Sequence, residues 1–321
     1  MSSRILPISP QISSSPGPQI ATPLLDVIDD AVTRSAGVSL RMLRLDQVHP
    51  LLSGNKWYKL HLNLQAAREC GYSTVLSFGG AYSNHLYALA AAGKLFGFRT
   101  IGVIRGEIVQ PLNPTLAFAQ EQGMELHAVS RTDYRDKTSP EFLAELTERF
   151  GACHVIPEGG GNEAGVLGCT EIASSLEWSA EAKDRLVTLA CGTGATMAGI
   201  IARLTAPCQV VGFSVLKGGE FLQQQVLDFL RTVKAPDPGN WHINTQWHFG
   251  GYARSTAELL AFIHDFTERT GIPLEPVYTG KMMYGLYAML AAGEIARGSE
   301  IIAIHTGGIH VGASPARDWA D

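Results

Sequence analysis

From about residue 73 to the C-terminal end, short apolar, β-branched runs alternate with segments of helical length, and this rhythm restricts the chain more than any other feature. Strands that are apolar on both faces must be covered on both faces, and the intervening helices supply that cover, so the pattern predicts an α/β fold built on a parallel sheet. The candidate strands are Ser73–Phe78, Arg99–Ile104, Glu125–Ser130, Arg185–Ala190, Gln209–Ser214 and Glu300–His305. The candidate helices Asn84–Phe96, Pro140–Phe150, Ala164–Trp178, Thr196–Leu204, Glu220–Val233, Thr256–Arg269 and Met282–Ala296 repeat apolar residues at three- and four-residue spacing, as core-facing helices do. At roughly 150 residues per domain, 321 residues point to two lobes. The best crossing between them is Ile156–Asn162, where three consecutive glycines interrupt the rhythm. A second loop-rich stretch is Lys234–Asn240.

With 45% hydrophobic and 17% charged residues the chain is expected to be compact. Its net charge of −5 provides no general attraction to nucleic acid or anionic lipid, so neither is an expected partner. No apolar run approaches the roughly 20 residues that cross a bilayer. The Ser/Pro-rich stretch Met1–Pro23 lacks the apolar centre of a signal peptide, and its first residues are expected to form a loosely held tail. The five cysteines, Cys70, Cys153, Cys169, Cys191 and Cys208, contain no C-x-x-C pair. That spacing points away from a disulfide framework or a thiolate metal site and toward the reducing cytoplasm.

Three glycine-containing segments carry the chemistry. The loop Cys191–Gly199 follows a candidate strand and opens a helix, a setting in which backbone N–H groups suit a phosphate. It is neither a dinucleotide fingerprint, because Met197 stands where glycine is needed, nor a Walker loop, because Ile200 replaces the lysine. A monophosphate site without nucleotide or metal remains, beside the simpler reading of an ordinary βα turn. In Leu52–Leu60, Gly54 and Asn55 form a turn and Lys56 opens a helix, where a cation opposes the helix dipole by roughly 0.3–1 kcal/mol. An amine with a lowered pKa removes the conflict and leaves a nucleophile, whereas a solvated lysine is the plainer alternative. In Phe78–His85, glycines precede Ser83 and Asn84 at another helix start, which reads equally as capping or as a carboxylate pocket. Tyr252, Tyr278 and the strand end at His305–Gly308 complete the candidates.

Taken together, these segments resemble the pyridoxal phosphate (PLP) enzymes that include D-cysteine desulfhydrase and 1-aminocyclopropane-1-carboxylate (ACC) deaminase. The resemblance runs from about Asp46 to Gly308 and rests on five motifs in order: S-G-N-K, G-G-x-x-S-N, T-G-x-T, P-V-Y-x-G-K and the terminal glycine turn. It implies a two-lobed, tryptophan synthase β-like architecture, with 1–52 and 161–321 as the larger lobe that holds the phosphate and 53–160 as the smaller. It also implies that Lys56 is the Schiff-base lysine, that Asn84 meets the cofactor's ring hydroxyl, and that Thr306 faces its pyridine nitrogen. Gly192, Thr193, Gly194, Ala195 and Thr196 match the phosphate cradle. Ser83, Tyr252 and Tyr278 match catalytic side chains, and Ser83, Asn84 and His85 a substrate carboxylate site. A homodimer is implied as well.

Two positions separate the branches of this resemblance. Thr279 and Thr306 match the desulfhydrase pattern, where the deaminase pattern has Glu and Leu, so Thr279 is expected at the substrate. The expected reaction is β-elimination, D-cysteine to pyruvate, sulfide and ammonia, with ACC opening to 2-oxobutyrate and ammonia as the alternative. Tyr58 and Tyr87 stand where arginine is common and leave the substrate open. Ser53-x-x-Lys56 with Tyr82-Ser83-Asn84 and His305-Thr306-Gly307 also permits an acyl-serine enzyme, although that reading leaves the loop at Gly192–Gly199 unexplained. A non-catalytic binding protein on the same fold is the third reading.

Overall fold

A computed structural model describes residues 19–52, 54–204 and 207–309. The expected N-terminal tail falls almost wholly outside the described residues, as does Ser53. Among the described residues ten strands form two sheets. The first joins β1 (Leu25–Ile28), β2 (Ser39–Arg44), β7 (Arg185–Cys191), β8 (Gln209–Ser214), β9 (Trp241–Asn244) and β10 (Glu300–His305) in the order β1-β2-β10-β7-β8-β9. The second joins β3 (Thr74–Gly79), β4 (Arg99–Arg105), β5 (Glu125–Val129) and β6 (His154–Ile156) in the order β5-β4-β3-β6. All pairings are parallel, as the strand pattern predicts, except that of β1 with β2, which adds an antiparallel edge to the larger sheet. Strands β3 and β10 are buried at every residue, which is why they read as continuous apolar runs.

The helices are α1 (Ala31–Ala36), α2 (Asn55–Glu69), α3 (Asn84–Phe96), α4 (Pro114–Glu121), α5 (Pro140–Phe150), α6 (Glu163–Ala173), α7 (Ala195–Arg203), α8 (Phe221–Thr232), α9 (Ala257–Thr270) and α10 (Thr279–Ala291). The four central strands of the larger sheet turn one face to the core around α6, α7 and α8 and the other to a core around α9 and α10. Between the sheets, α2 packs on α6, and its Trp57 stacks on Phe96 of α3 with centroids 5.9 Å apart. The chain leaves the smaller sheet after β6 through a turn at Glu158–Gly160, within the glycine stretch, and then enters α6.

The strand and helix expectations from residue 73 onward lie within a few residues of the observed elements, apart from α10, which begins at Thr279 and not at Met282, and α6, which ends at Ala173. The earlier start of α10 has a cause outside the helix: the Glu275 carboxylate accepts the N–H groups of Val277, Tyr278 and Thr279. Strands β1, β2, β6 and β9 and helices α1 and α4 were not predicted. They are short, three to eight residues, and carry too few repeats for a period to show.

Candidate active site

The carboxyl ends of β3, β4, β7 and β10 converge on one cavity of about 320 Å³, where open α/β sheets offer strand ends and helix starts to ligands. Lys56, Ser83, Asn84, His85, Gly192, Thr193, Gly194, Thr196, Tyr252, Tyr278 and Thr306 line it. Ala195 is fully buried and supplies main chain only to the loop, as the first residue of α7.

Lys56 stands in the first turn of α2, after Gly54 at φ +71°. A β-carbon on Gly54 would meet the Thr306 carbonyl oxygen at 2.1 Å, so only glycine lets the two main chains approach this closely. Asn55 N donates to the same carbonyl at 3.1 Å. The Asn55 side chain accepts from Lys56 Nζ at 2.5 Å and donates to Thr196 Oγ1 at 2.8 Å, tying the lysine to the glycine loop. Burial, then the neighbouring cation of Lys59, pulls the Lys56 pKa down to about 7, which resolves the dipole conflict by favouring the neutral amine.

Lys59, one turn further along α2, was not singled out from sequence, although a second lysine three residues on was a visible signal. It is 4% exposed, and its Nζ donates to Gly159 O at 3.0 Å and to Thr193 Oγ1 at 3.3 Å. Burial lowers its pKa. At the same loop, the N-cap of α7 is Gly194, φ +79°, which provides no side-chain cap, so the terminal N–H groups of the helix are offered to whatever enters. Uncapped amides, two threonine hydroxyls and an ammonium form a donor set suited to a phosphate dianion, and the residues present fit such a group.

On the opposite wall Ser83 caps α3 by accepting from Leu86 N at 3.3 Å, and Asn84 is the first residue of that helix. The His85 side chain turns inward. Ser77 Oγ donates to Ile156 O at 2.7 Å and so accepts from His85 Nε2 at 3.0 Å, leaving Nδ1 as a buried acceptor without a hydrogen-bond partner among the described residues. Burial and both lysines push this imidazole down to about 3, so it is neutral. What His85 turns toward a carboxylate is therefore main chain, not a cationic ring.

The two tyrosines meet edge to face with centroids 6.0 Å apart. Tyr278 is set by the Glu275 carboxylate, and burial raises its phenol pKa well above the ordinary value. Tyr252 is 41% exposed and rides on a loop in which Phe249, Gly250, Gly251 and Ala253 all have positive φ. That loop is held from below by fully buried Lys281, whose Nζ donates to His248 O at 2.9 Å and Gly251 O at 2.7 Å.

Three expectations are altered. Thr279 is not brought to the cavity; it is fully buried, with its hydroxyl donating to Glu275 Oε1 at 3.1 Å. Tyr58 and Tyr87 lie away from the cavity in the core; Tyr87 stacks on Phe118 at 3.8 Å, so neither departure touches the site directly. Glu275, Arg105 and Glu158 sit at the site without having been singled out.

Residues 19–307 match the profile of a family described as pyridoxal-phosphate dependent enzyme. The chain belongs to that family. Within it the chain is 29% identical over 286 residues to a putative 1-aminocyclopropane-1-carboxylate deaminase of Pyrococcus horikoshii, covering 87% of each. It is 32% identical over 297 residues to the mitochondrial bifunctional D-cysteine desulfhydrase/1-aminocyclopropane-1-carboxylate deaminase of Arabidopsis thaliana, covering 85% of this chain and 73% of that one. A crystal structure of an ACC deaminase homologue superposes with a TM-score of 0.78 at 27% identity, covering 91% and 92%. The fold is that of these pyridoxal-phosphate enzymes, and pyridoxal phosphate is the cofactor. Membership removes the support for an acyl-serine enzyme or a bare binding protein. Among the described residues no helix is long and apolar enough to cross a membrane.

Proposed function

We propose that this enzyme catalyses β-elimination from a small amino acid, in the manner of a D-cysteine desulfhydrase, with Lys56 as the residue that holds pyridoxal phosphate and moves the α-proton. The observation that carries the reading is a lysine amine drawn down to about 7 and tied through Asn55 to an uncapped, glycine-opened anion loop. Gly192–Thr196 and Lys59 would hold the phosphate, Asn84 the ring hydroxyl and Thr306 the ring nitrogen. Bound there, the cofactor supplies an electron sink that acidifies the α-carbon of an attached amino acid.

The chain's own residues do the rest. Ser83, Asn84 and the first amides of α3 bind the substrate carboxylate. Lys56 Nζ takes the α-proton, since an amine near neutrality is available as a base at working pH. The Tyr278 phenol, kept protonated by burial, donates to the departing sulfur, while Tyr252 closes the outer side of the cavity. Thr306, which lines the cavity, would offer the ring nitrogen a neutral hydroxyl and not a carboxylate, so the electron sink supplied there would be a weaker one. Because Thr279 reaches the site only through Glu275, it separates the branches less sharply than its position in the motif implied, and ACC opening stays as a second reading. A homodimer, the cytoplasm, and the lobes 1–52 with 161–321 and 53–160 are parts of the same proposal.

Borohydride reduction of the purified holoenzyme followed by peptide mapping tests the assignment. The label is expected on the peptide containing Lys56, and D-cysteine is expected to yield pyruvate and sulfide. A label on Lys59 overturns the lysine assignment; 2-oxobutyrate from ACC without sulfide from D-cysteine overturns the branch.

A further inference from the structure

We propose that the site selects amino acids whose β-substituent is itself an anion, and that Arg105 reads that second charge. The inference rests on the elimination reading above, since it takes the substrate carboxylate as seated at Ser83 and Asn84. Arg105 ends β4 and lines both the inner cavity and an outer cleft of about 1430 Å³ that opens from it. Its Nη2 lies 3.6 Å from where a side chain on Gly80 would begin, directly over the carboxylate loop. The guanidinium stands 5.8 Å from the centre of the Tyr134 ring, and Lys137 Nζ stands 4.9 Å from the same ring. Among the described residues Arg105 has no hydrogen bond and no salt bridge.

The nearby carboxylates do not neutralise it. Glu158 pairs with Lys137 at 3.4 Å, and Glu275 is committed to three backbone N–H groups. Glu107 is the remaining carboxylate on the cleft, against Arg131 and Arg135, which form no salt bridge among the described residues. On a chain of net charge −5, four cations against three carboxylates leave this mouth with a small local excess of positive charge. A guanidinium near a ring and without a hydrogen-bond partner among the described residues fits a sulfonate, phosphate or carboxylate better than a neutral thiol. The chemistry balances: Cα–H and Cβ–X break, the proton goes to Lys56 Nζ, the electron pair leaves with X, and water then releases the 2-oxo acid and ammonium. The departing anion carries one more negative charge than the bound substituent, so Arg105 favours both binding and departure.

The test compares O-phosphoserine with β-chloroalanine, in both enantiomers, by 2-oxo acid release from the holoenzyme and from Arg105→Gln and Arg105→Lys. The kcat/KM ratio of the anionic to the neutral compound is expected to fall about tenfold or more in Arg105→Gln, the loss of one charge-assisted hydrogen bond, and to recover partly in Arg105→Lys. Calorimetric titration with aspartate and with alanine reads the same preference without turnover. A ratio unchanged in Arg105→Gln, or a wild type that eliminates chloride but refuses the phosphate, overturns the inference and leaves the elimination reading intact. Absence of 2-oxo acid from every compound overturns the elimination reading, and the dependence of aspartate affinity on Arg105 then decides the anion site by itself.

Discussion

Replacing Glu275 by alanine removes one carboxylate and strands the turn that carries Tyr278. Its Oε2 accepts Val277 N at 2.7 Å, and its Oε1 accepts Tyr278 N at 2.9 Å, Thr279 N at 2.6 Å and Thr279 Oγ1 at 3.1 Å. Each buried donor left without a partner costs about 1–3 kcal/mol, and loss of a helix cap alone costs about 0.5–2 kcal/mol. Water can enter the void and satisfy part of the set, so about 3 kcal/mol is the expected local cost. Glu275→Gln keeps one acceptor oxygen and should cost about half as much. The effect is read as hydrogen exchange of the amides at 277–279, expected to speed up by about two orders of magnitude in Glu275→Ala. Turnover should fall in parallel while the cofactor absorbance stays, because Tyr278 moves and Lys56 does not. Exchange within about threefold of wild type, with full turnover, would refute the idea that this carboxylate organises the turn.

Lys59→Met removes the like charge beside Lys56, so the Lys56 pKa should rise; the pH midpoint for its reaction with pyridoxal, which lacks the phosphate, should move above the value near 7. An unchanged midpoint would mean that burial acts alone. Lys281→Met breaks both bonds that hold the Tyr252 loop and should lower kcat more than it alters cofactor content, with proteolysis near 248–254 accelerated about tenfold or more. Gly54→Ala places a β-carbon 2.1 Å from Thr306 O. The backbone strain alone is about 1–3 kcal/mol, so the variant should lose its Lys56-bound cofactor on dialysis, and retention of full colour would count against the close approach.

Local order was legible wherever period and punctuation agreed. Strand Gln209–Ser214 and helices Asn84–Phe96 and Pro140–Phe150 have the predicted bounds because the apolar repeats that define them are also the contacts that bury them. Glycines at strand ends announced the loops at Gly79–Asn84 and Cys191–Thr196: a β-carbon on Gly79 would meet Ser83 Oγ at 2.5 Å, and Gly194 has a φ of +79°. Lys56 was legible because a cation at a helix start needs a reason.

The rest depended on partners far away in the chain. Lys59 becomes a phosphate candidate only because Gly159 and Thr193 close over it, and Asn55 links the lysine to the loop only by reaching Thr196. Glu275 decides where α10 begins and turns Thr279 away from the cavity, against its place in the motif. Arg105 looks like any strand-ending arginine until β4 sets it beside Gly80 and the outer cleft. Period and residue type act over a few neighbours and so are written in the chain. Burial, which lowers an amine or commits a carboxylate, is a property of what packs around a group, and only the tertiary structure supplies it.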